Sequence, residues 1–125
     1  MTTRNRVLLV EDDRFLRRAG EAALRKAGIT VVTAVDGEDA LRVARAEAPD
    51  LILLDVVMPK LNGFEVLKAL KADPLTREID VIMLSNLRQE VDVAAAMAAG
   101  ARDYLVKANL SLSALVAAVG EALRA

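Results

Sequence analysis

An open, doubly wound parallel α/β sheet of five strands is the fold this sequence predicts, and three observations predict it. Short apolar runs alternate five times with longer amphipathic stretches along 125 residues. Most of the runs are continuously apolar rather than alternating, as strands covered on both faces are. Two of them, Val7–Val10 and Leu51–Leu54, run straight into acids, Glu11-Asp12-Asp13 and Asp55. In open α/β sheets ligands bind beyond the carboxyl ends of the strands, so these acids fall where a site belongs. Five strand–helix units are too few for an eight-stranded barrel.

Each element has its own local signal. The first strand, Arg6–Val10, leads into a helix from about Asp13 to Ala27, with Asp13 as N-cap and Gly28 as the C′ residue. Phe15, Leu16, Ala19, Ala23 and Leu24 recur along it at helical spacing. Next come the strand Thr30–Ala34 and a helix from Gly37 to Ala48, closed by Pro49. The third strand is Leu51–Leu54. The helix after it opens at Asn62-Gly63-Phe64-Glu65, where Asn as N-cap with Glu three residues on makes a capping-box variant. The fourth strand is Ile79–Leu84, and its helix runs from about Arg88 to Ala99, stopping at Gly100. The last strand, Asp103–Val106, precedes a helix from about Ser111 to Leu123 that should bury Leu112, Leu115, Val116, Val119 and Leu123. Strict alternation of this kind gives right-handed crossovers with helices on both sheet faces.

Composition narrows the chemistry. The length suits one domain, residues 1–125. With 54% apolar residues the chain can bury a sizeable core. Seventeen Lys and Arg against 18 Asp and Glu leave a net charge of −1, which gives no reason to expect direct nucleic-acid binding. There is no cysteine and no histidine, which excludes disulfides, thiolate zinc sites, a Ser-His-Asp arrangement and a phosphohistidine on this chain. The polar start, Met1 to Arg6, and the lack of an apolar run near the ~18 residues of a membrane span make a cytoplasmic protein without membrane insertion the expectation.

Four features should meet at the carboxyl edge of the sheet: Glu11 and Asp12, then Asp55, Ser85 and Lys107. Carboxylates together can hold Mg²⁺ (or Mn²⁺) with waters completing an octahedron. Ser85 can donate to an anionic oxygen and Lys107 can neutralise it. Such a set suits phosphoryl transfer, which depends on positioning and charge neutralisation. Each residue also has a plainer reading: a turn residue for Asp55, a strand-end hydroxyl for Ser85, an exposed lysine for Lys107. Asp13 reads as a cap rather than a ligand. Arg14, Arg17 and Arg18 read first as a solvated helix face, and otherwise as a docking or electrostatic element.

The segments VLLVEDD (Val7–Asp13), LILLDVVMPKLNG (Leu51–Gly63), VIMLSNL (Val81–Leu87) and DYLVKA (Asp103–Ala108), in this order, resemble the receiver domain of two-component response regulators. The likeness extends from Arg4 to about Leu123, and the chain is most similar to the chemotaxis-regulator-like, single-domain type. It implies a flavodoxin-like (βα)5 fold with strand order 2-1-3-4-5. It implies that Asp55 is the phosphoacceptor and a metal ligand, that Asp12 binds the metal directly, that Glu11 acts through a metal-bound water, and that the Val57 carbonyl completes the set. Ser85 would be the switch hydroxyl, Lys107 the partner of the phosphoryl group, and Tyr104 the aromatic that turns inward on phosphorylation; a half-buried sheet residue is the plainer reading of Tyr104. The implied phosphodonor is a histidine kinase or histidine phosphotransfer protein. The output would be contact with a downstream protein through the surface of helix four, strand five and helix five, unless the chain is a fragment of a longer regulator. Such a protein catalyses only its own phosphorylation and dephosphorylation.

One departure, one expectation about lifetime and three rivals complete the reading. Ala108 stands where the family usually has proline. A non-proline cis bond costs ~2.5–4 kcal/mol, so Lys107-Ala108 is expected to be trans. The resemblance also implies that the side chains two residues after the phosphoacceptor and two after the switch hydroxyl flank the path of a hydrolytic water; here these are Val57 and Leu87, neither of which can orient one, so a long-lived phosphorylated state is expected. A haloacid-dehalogenase-type hydrolase would need an acid at position 57. A flavodoxin-like cofactor binder would need a phosphate loop where Glu11 and Asp12 stand. A phosphorylation-independent, receiver-like interaction module differs only in what an assay would show.

Overall fold

The elements follow in the order β1 (Arg6–Val10), α1 (Arg14–Lys26), β2 (Thr30–Ala34), α2 (Gly37–Glu47), β3 (Leu51–Asp55), α3 (Gly63–Ala72), β4 (Asp80–Ser85), α4 (Glu90–Ala98), β5 (Asp103–Val106) and α5 (Leu112–Arg124). This is a computed structural model that describes residues 5–86 and 90–124. The strands are parallel and ordered β2-β1-β3-β4-β5, as expected. Two strands shift by a residue: β3 extends to Asp55, and β4 runs one residue later, from Asp80 to Ser85. Both site residues are thus held by the sheet's backbone ladder rather than by loops. The expected start of α4 at Arg88 lies outside the described residues. A 3₁₀ turn at Lys107–Asn109, which no sequence signal indicated, joins β5 to α5.

The apolar strands feed two cores. Leu8, Val10, Ile52, Leu54, Val81 and Met83 point to one face, where α2 and α3 cover them. Val7, Leu9, Leu51, Leu53, Ile82 and Leu84 point to the other and meet Leu24 of α1 and Leu115 and Val119 of α5. Successive residues on a strand face opposite sides, so a sheet covered twice needs both to be apolar. The inner stripe of α1 is shorter than its spacing suggested. Phe15 is 81% exposed and Leu16 48%, and on α5 Leu112 is 48% exposed. Leu16 and Leu112 do not enter the core. They line a cavity of about 250 Å³ between the two helices, where Gly20 leaves space above Leu9.

Caps stop and start the helices as the sequence indicated. Asp13 accepts from the Leu16 amide at 3.0 Å. Asn62 and Glu65 exchange both capping-box bonds, at 3.0 and 3.1 Å. The end of α2 is less regular: Ala48 sits at φ 44, ψ 59, the left-handed conformation usually left to glycine. There the Cβ meets the neighbouring carbonyl oxygen, at a cost of ~1–2 kcal/mol. Ala48→Gly should therefore raise stability by about 1 kcal/mol, after allowing for the greater entropy of glycine in the unfolded chain. The check is a higher urea midpoint with an unchanged m-value.

Candidate functional site

Strand register assembles the site. Val10 pairs with Leu54, Asp55 with Leu84, and Ser85 with Val106. Glu11, Asp55, Ser85 and Lys107 therefore end neighbouring strands at one edge of the sheet. Two bonds carry the ladders past the strand ends: the Glu11 amide donates to the Ala34 carbonyl at 3.2 Å, and the Val56 amide to the Leu84 carbonyl at 2.9 Å. Glu11, Asp55 and Ser85 are buried, whereas Asp12 is exposed.

Lys107 joins the two buried acids. Its Nζ donates to Glu11 Oε1 at 2.6 Å and lies 3.0 Å from Asp55 Oδ2. The remaining carboxylate oxygens are also held. Glu11 Oε2 accepts from the Asp13 amide at 3.2 Å, and Asp55 Oδ1 from the Val57 amide at 3.3 Å. Ligand atoms of Glu11, Asp12 and Asp55 lie within 4.8 Å of one another. Three carboxylates against one ammonium leave an excess of negative charge. The two neighbouring groups register it. Burial pushes the Glu11 carboxyl above its ordinary range, against the pull of the Lys107 hydrogen bond, and the Asp55 charge adds to the rise. Burial alone would lower the Lys107 ammonium, but its hydrogen bonds to Glu11 and Asp55 and their attraction raise it. A cluster of carboxylate oxygens is the donor set that hard cations take. The three carboxylates together could hold a metal ion.

Most of the remaining residues named from the sequence are also located. Val57 is 64% exposed, at the rim beyond Asp55. Leu87, its expected counterpart, lies outside the described residues. Tyr104 is buried rather than half-buried, paired with Met83 and enclosed in the core on the α2–α3 side. The peptide bond between Lys107 and Ala108 is trans, as expected without proline.

Three residues support the site in ways the sequence did not spell out. Arg17 is not simply solvated: its Nη1 donates to the Glu11 carbonyl at 2.9 Å and the Asp12 carbonyl at 3.3 Å. It ties the acidic loop to the first helix. Gly63 and Gly37 are close-approach glycines. A Cβ on Gly63 would lie 2.5 Å from the Asp55 carbonyl oxygen, and one on Gly37 would lie 2.5 Å from Leu61 Cβ. The signal for Arg17 was an arginine at the positive end of a helix, where a cation is disfavoured unless something else holds it. For the glycines it was a residue of low helix propensity in a first turn. Arg17→Ala should loosen the Glu11-Asp12 loop and weaken divalent-cation affinity by about tenfold, the lower end seen when groups supporting metal ligands are removed. Calorimetric titration with Mn²⁺ measures it.

A five-stranded α/β fold with acids and a lysine converging at one strand edge is that of a class of signalling domain, and the comparisons agree. Residues 7–120 match the family model for the response regulator receiver domain, and the chain belongs to that family. Among curated relatives, Transcriptional regulatory protein AfsQ1 of Streptomyces coelicolor is 41% identical over 81% of this chain and 44% of its own length. Transcriptional regulatory protein PrrA of Mycobacterium tuberculosis is 44% identical over 98% of this chain and 51% of its own length. The chain thus spans about half the length of these relatives. Among solved structures, the Francisella response regulator 1452 receiver domain superposes with a TM-score of 0.89 at 28% identity, covering 96% of this chain and 97% of that one. Vibrio cholerae chemotaxis protein CheY4 gives 0.88 at 30% identity, over 94% and 98%. Among the described residues no helix is long and apolar enough to cross a membrane.

Proposed function

We propose that residues 1–125 act as one receiver unit that takes a phosphoryl group onto Asp55 from a phosphohistidine of a histidine kinase or histidine phosphotransfer protein. The observation that carries this reading is the Lys107 ammonium held between Asp55 and Glu11 at the carboxyl edge of the sheet. An Asp55 carboxylate oxygen attacks phosphorus, the P–N bond breaks, and the electron pair leaves with the donor's imidazole, which takes up a proton. The protein's part is to aim the carboxylate and to neutralise charge. The Val57 amide fixes one oxygen of Asp55 and Lys107 the other. Glu11, Asp12 and Asp55, with the Val57 carbonyl, would hold Mg²⁺ or Mn²⁺, which supplies further charge neutralisation at the phosphoryl oxygens.

After transfer, the new anion competes for Lys107, which now bridges two carboxylates. Ser85 is the hydroxyl placed to close on it, one strand away. Tyr104 follows on β5, so the change reaches the surface of α4, β5 and α5, where a downstream protein would read it. This reading places the protein in the cytoplasm and gives it no external substrate, only its own phosphorylation and hydrolysis. The test is exposure to acetyl phosphate with Mg²⁺, followed by intact-mass measurement. One added phosphoryl group, absent when EDTA replaces Mg²⁺, is the expected result. No addition under any metal would favour the phosphorylation-independent interaction module.

Hydrolysis should be slow. Val57 cannot hydrogen-bond an incoming water, and Leu87 is apolar as well. The double variant Val57→Asn, Leu87→Glu should lose its phosphoryl label about tenfold faster than wild type, because an oriented water restores in-line attack. Label decay after donor removal, in Mg²⁺, measures both; equal rates would dismiss the effect of these two side chains.

A further inference from the structure

The loop from Val56 to Asn62 is fixed at one end in the site and at the other on the second helix. At the site end the Gly63 amide donates to the Val56 carbonyl at 2.8 Å, and the Val57 amide to Asp55 Oδ1 at 3.3 Å. At the far end Leu61 lies against the first turn of α2, where a Cβ on Gly37 would meet Leu61 Cβ at 2.5 Å and its carbonyl oxygen at 2.7 Å. Lys60 reaches the same turn. Its Nζ is 3.4 Å from Asp36 Oδ2 and 3.7 Å from Glu38 Oε2. Asp36 is itself anchored as the α2 N-cap, accepting from the Asp39 amide at 2.8 Å. That hydrogen bond holds the Asp36 carboxyl below its ordinary range, and Lys60 lowers it further, so the carboxylate stays charged.

Stability alone does not account for a lysine at this position. Lys60 sits at φ 70, one of two described non-glycine residues in the left-handed region. A Cβ is strained there and glycine is not. The ion pair returns little, because the lysine side chain is 55% exposed and water screens it. Backbone strain that local energetics leave uncompensated points to a function. Between Val56 and Lys60 stand Val57, Met58 and Pro59. Met58 is buried in the core and proline fixes its own φ, so little slack remains between the two anchors. Resting on the phosphoacceptor reading above, we propose that Lys60 is a positioning residue: by tying the loop to Asp36 and Glu38 it holds the Val57 peptide unit, whose amide steadies Asp55 and whose carbonyl would complete the cation's ligands. Lys60 touches no reacting atom. It raises cation affinity and the rate of phosphoryl uptake by ordering the loop before either is bound.

The experiment compares the intact protein with Lys60→Gly, with Lys60→Arg, and with Asp36→Asn combined with Glu38→Gln, in which Asn still caps α2. Lys60→Gly should bind Mn²⁺ about tenfold more weakly by calorimetry. Its urea midpoint should be no lower than that of wild type, since the strain leaves with the side chain. In the metal-free variant the Val57 amide should exchange its hydrogen several-fold faster. The double variant should weaken Mn²⁺ binding equally, whereas Lys60→Arg, which restores the pair, should stay within about twofold of wild type. In about 1 M salt, which screens exposed pairs, wild type and Lys60→Gly should converge. Labelling of Lys60→Gly by acetyl phosphate should be slow at low Mg²⁺ and recover at saturating Mg²⁺. Wild-type Mn²⁺ affinity in Lys60→Gly overturns the proposal. So does a loss that Lys60→Arg shares, or one that follows a lower urea midpoint, either of which would make the lysine merely structural. Failure of acetyl phosphate to label wild type would instead remove the phosphoacceptor reading, while Mn²⁺ titration and amide exchange still decide the role of Lys60.

Discussion

Asp55→Asn should take up no phosphoryl group from acetyl phosphate under conditions in which wild type gains one. The substitution is nearly isosteric, so the strand end and its packing persist; the loss is chemical. An amide oxygen is a poor nucleophile and carries no charge to hold a metal. It also withdraws one of the two carboxylates that anchor the Lys107 ammonium at 3.0 and 2.6 Å. The acidic excess that raises Glu11 falls, because the Asp55 charge is one of its causes. Glu11 and Asp12 remain within the same small cluster, so they are the built-in control. If either carboxylate served as acceptor, the variant would still gain mass. Equal labelling of wild type and variant, by intact mass, would move the acceptor away from Asp55.

Gly63→Ala should be the most damaging substitution away from the charged cluster, costing about 3 kcal/mol, the upper part of the range for overpacking. The first turn of α3 lies directly on the backbone that leaves β3. The Gly63 amide donates to the Val56 carbonyl at 2.8 Å, and the missing Cβ leaves room for the Asp55 carbonyl at 2.5 Å and Val56 Cα at 2.7 Å. These neighbours are main-chain atoms of a buried strand end, so neither side can yield without breaking the helix start or the Asp55 loop. Gly28 separates this effect from conformational strain. It sits at φ +85 with open space around its Cβ position, so Gly28→Ala should cost only the ~1–2 kcal/mol of a left-handed alanine. Urea unfolding of both variants gives the comparison. A Gly63→Ala midpoint above that of Gly28→Ala would show that the close approach is relaxed in solution.

The periodicity of the chain carried most of the fold. Short continuous apolar runs bounded by turn residues fit strands covered on both faces, and Asp13, Asn62, Pro49, Gly28 and Gly100 marked helix ends for known stereochemical reasons. Errors arose where an element overhangs its neighbour. Phe15 and Leu16, and Leu112 at the start of α5, have the right spacing to be buried, but Leu16 and Leu112 border a cavity and Phe15 faces solvent. Helical spacing tells which residues share a face, not how far along the helix that face is covered. The positions of the site residues were legible because strand ends in a parallel sheet share an edge. Their pairing was not: the contact of Lys107 with Glu11 joins residues 96 positions apart. For Arg17 a solvated face came first and site electrostatics second, because its role is to bind carbonyl groups, which leave no pattern in side-chain sequence.

The most direct measurement is chemical mapping of the acceptor. Protein phosphorylated by acetyl phosphate in Mg²⁺ is treated with borohydride, which reduces an acyl phosphate to the alcohol and converts the aspartate to homoserine, and peptides are then sequenced by mass spectrometry. The account predicts homoserine at position 55 and unmodified acids at positions 11 and 12. Homoserine elsewhere, or a phosphoryl group on a hydroxyl that survives reduction, would contradict it.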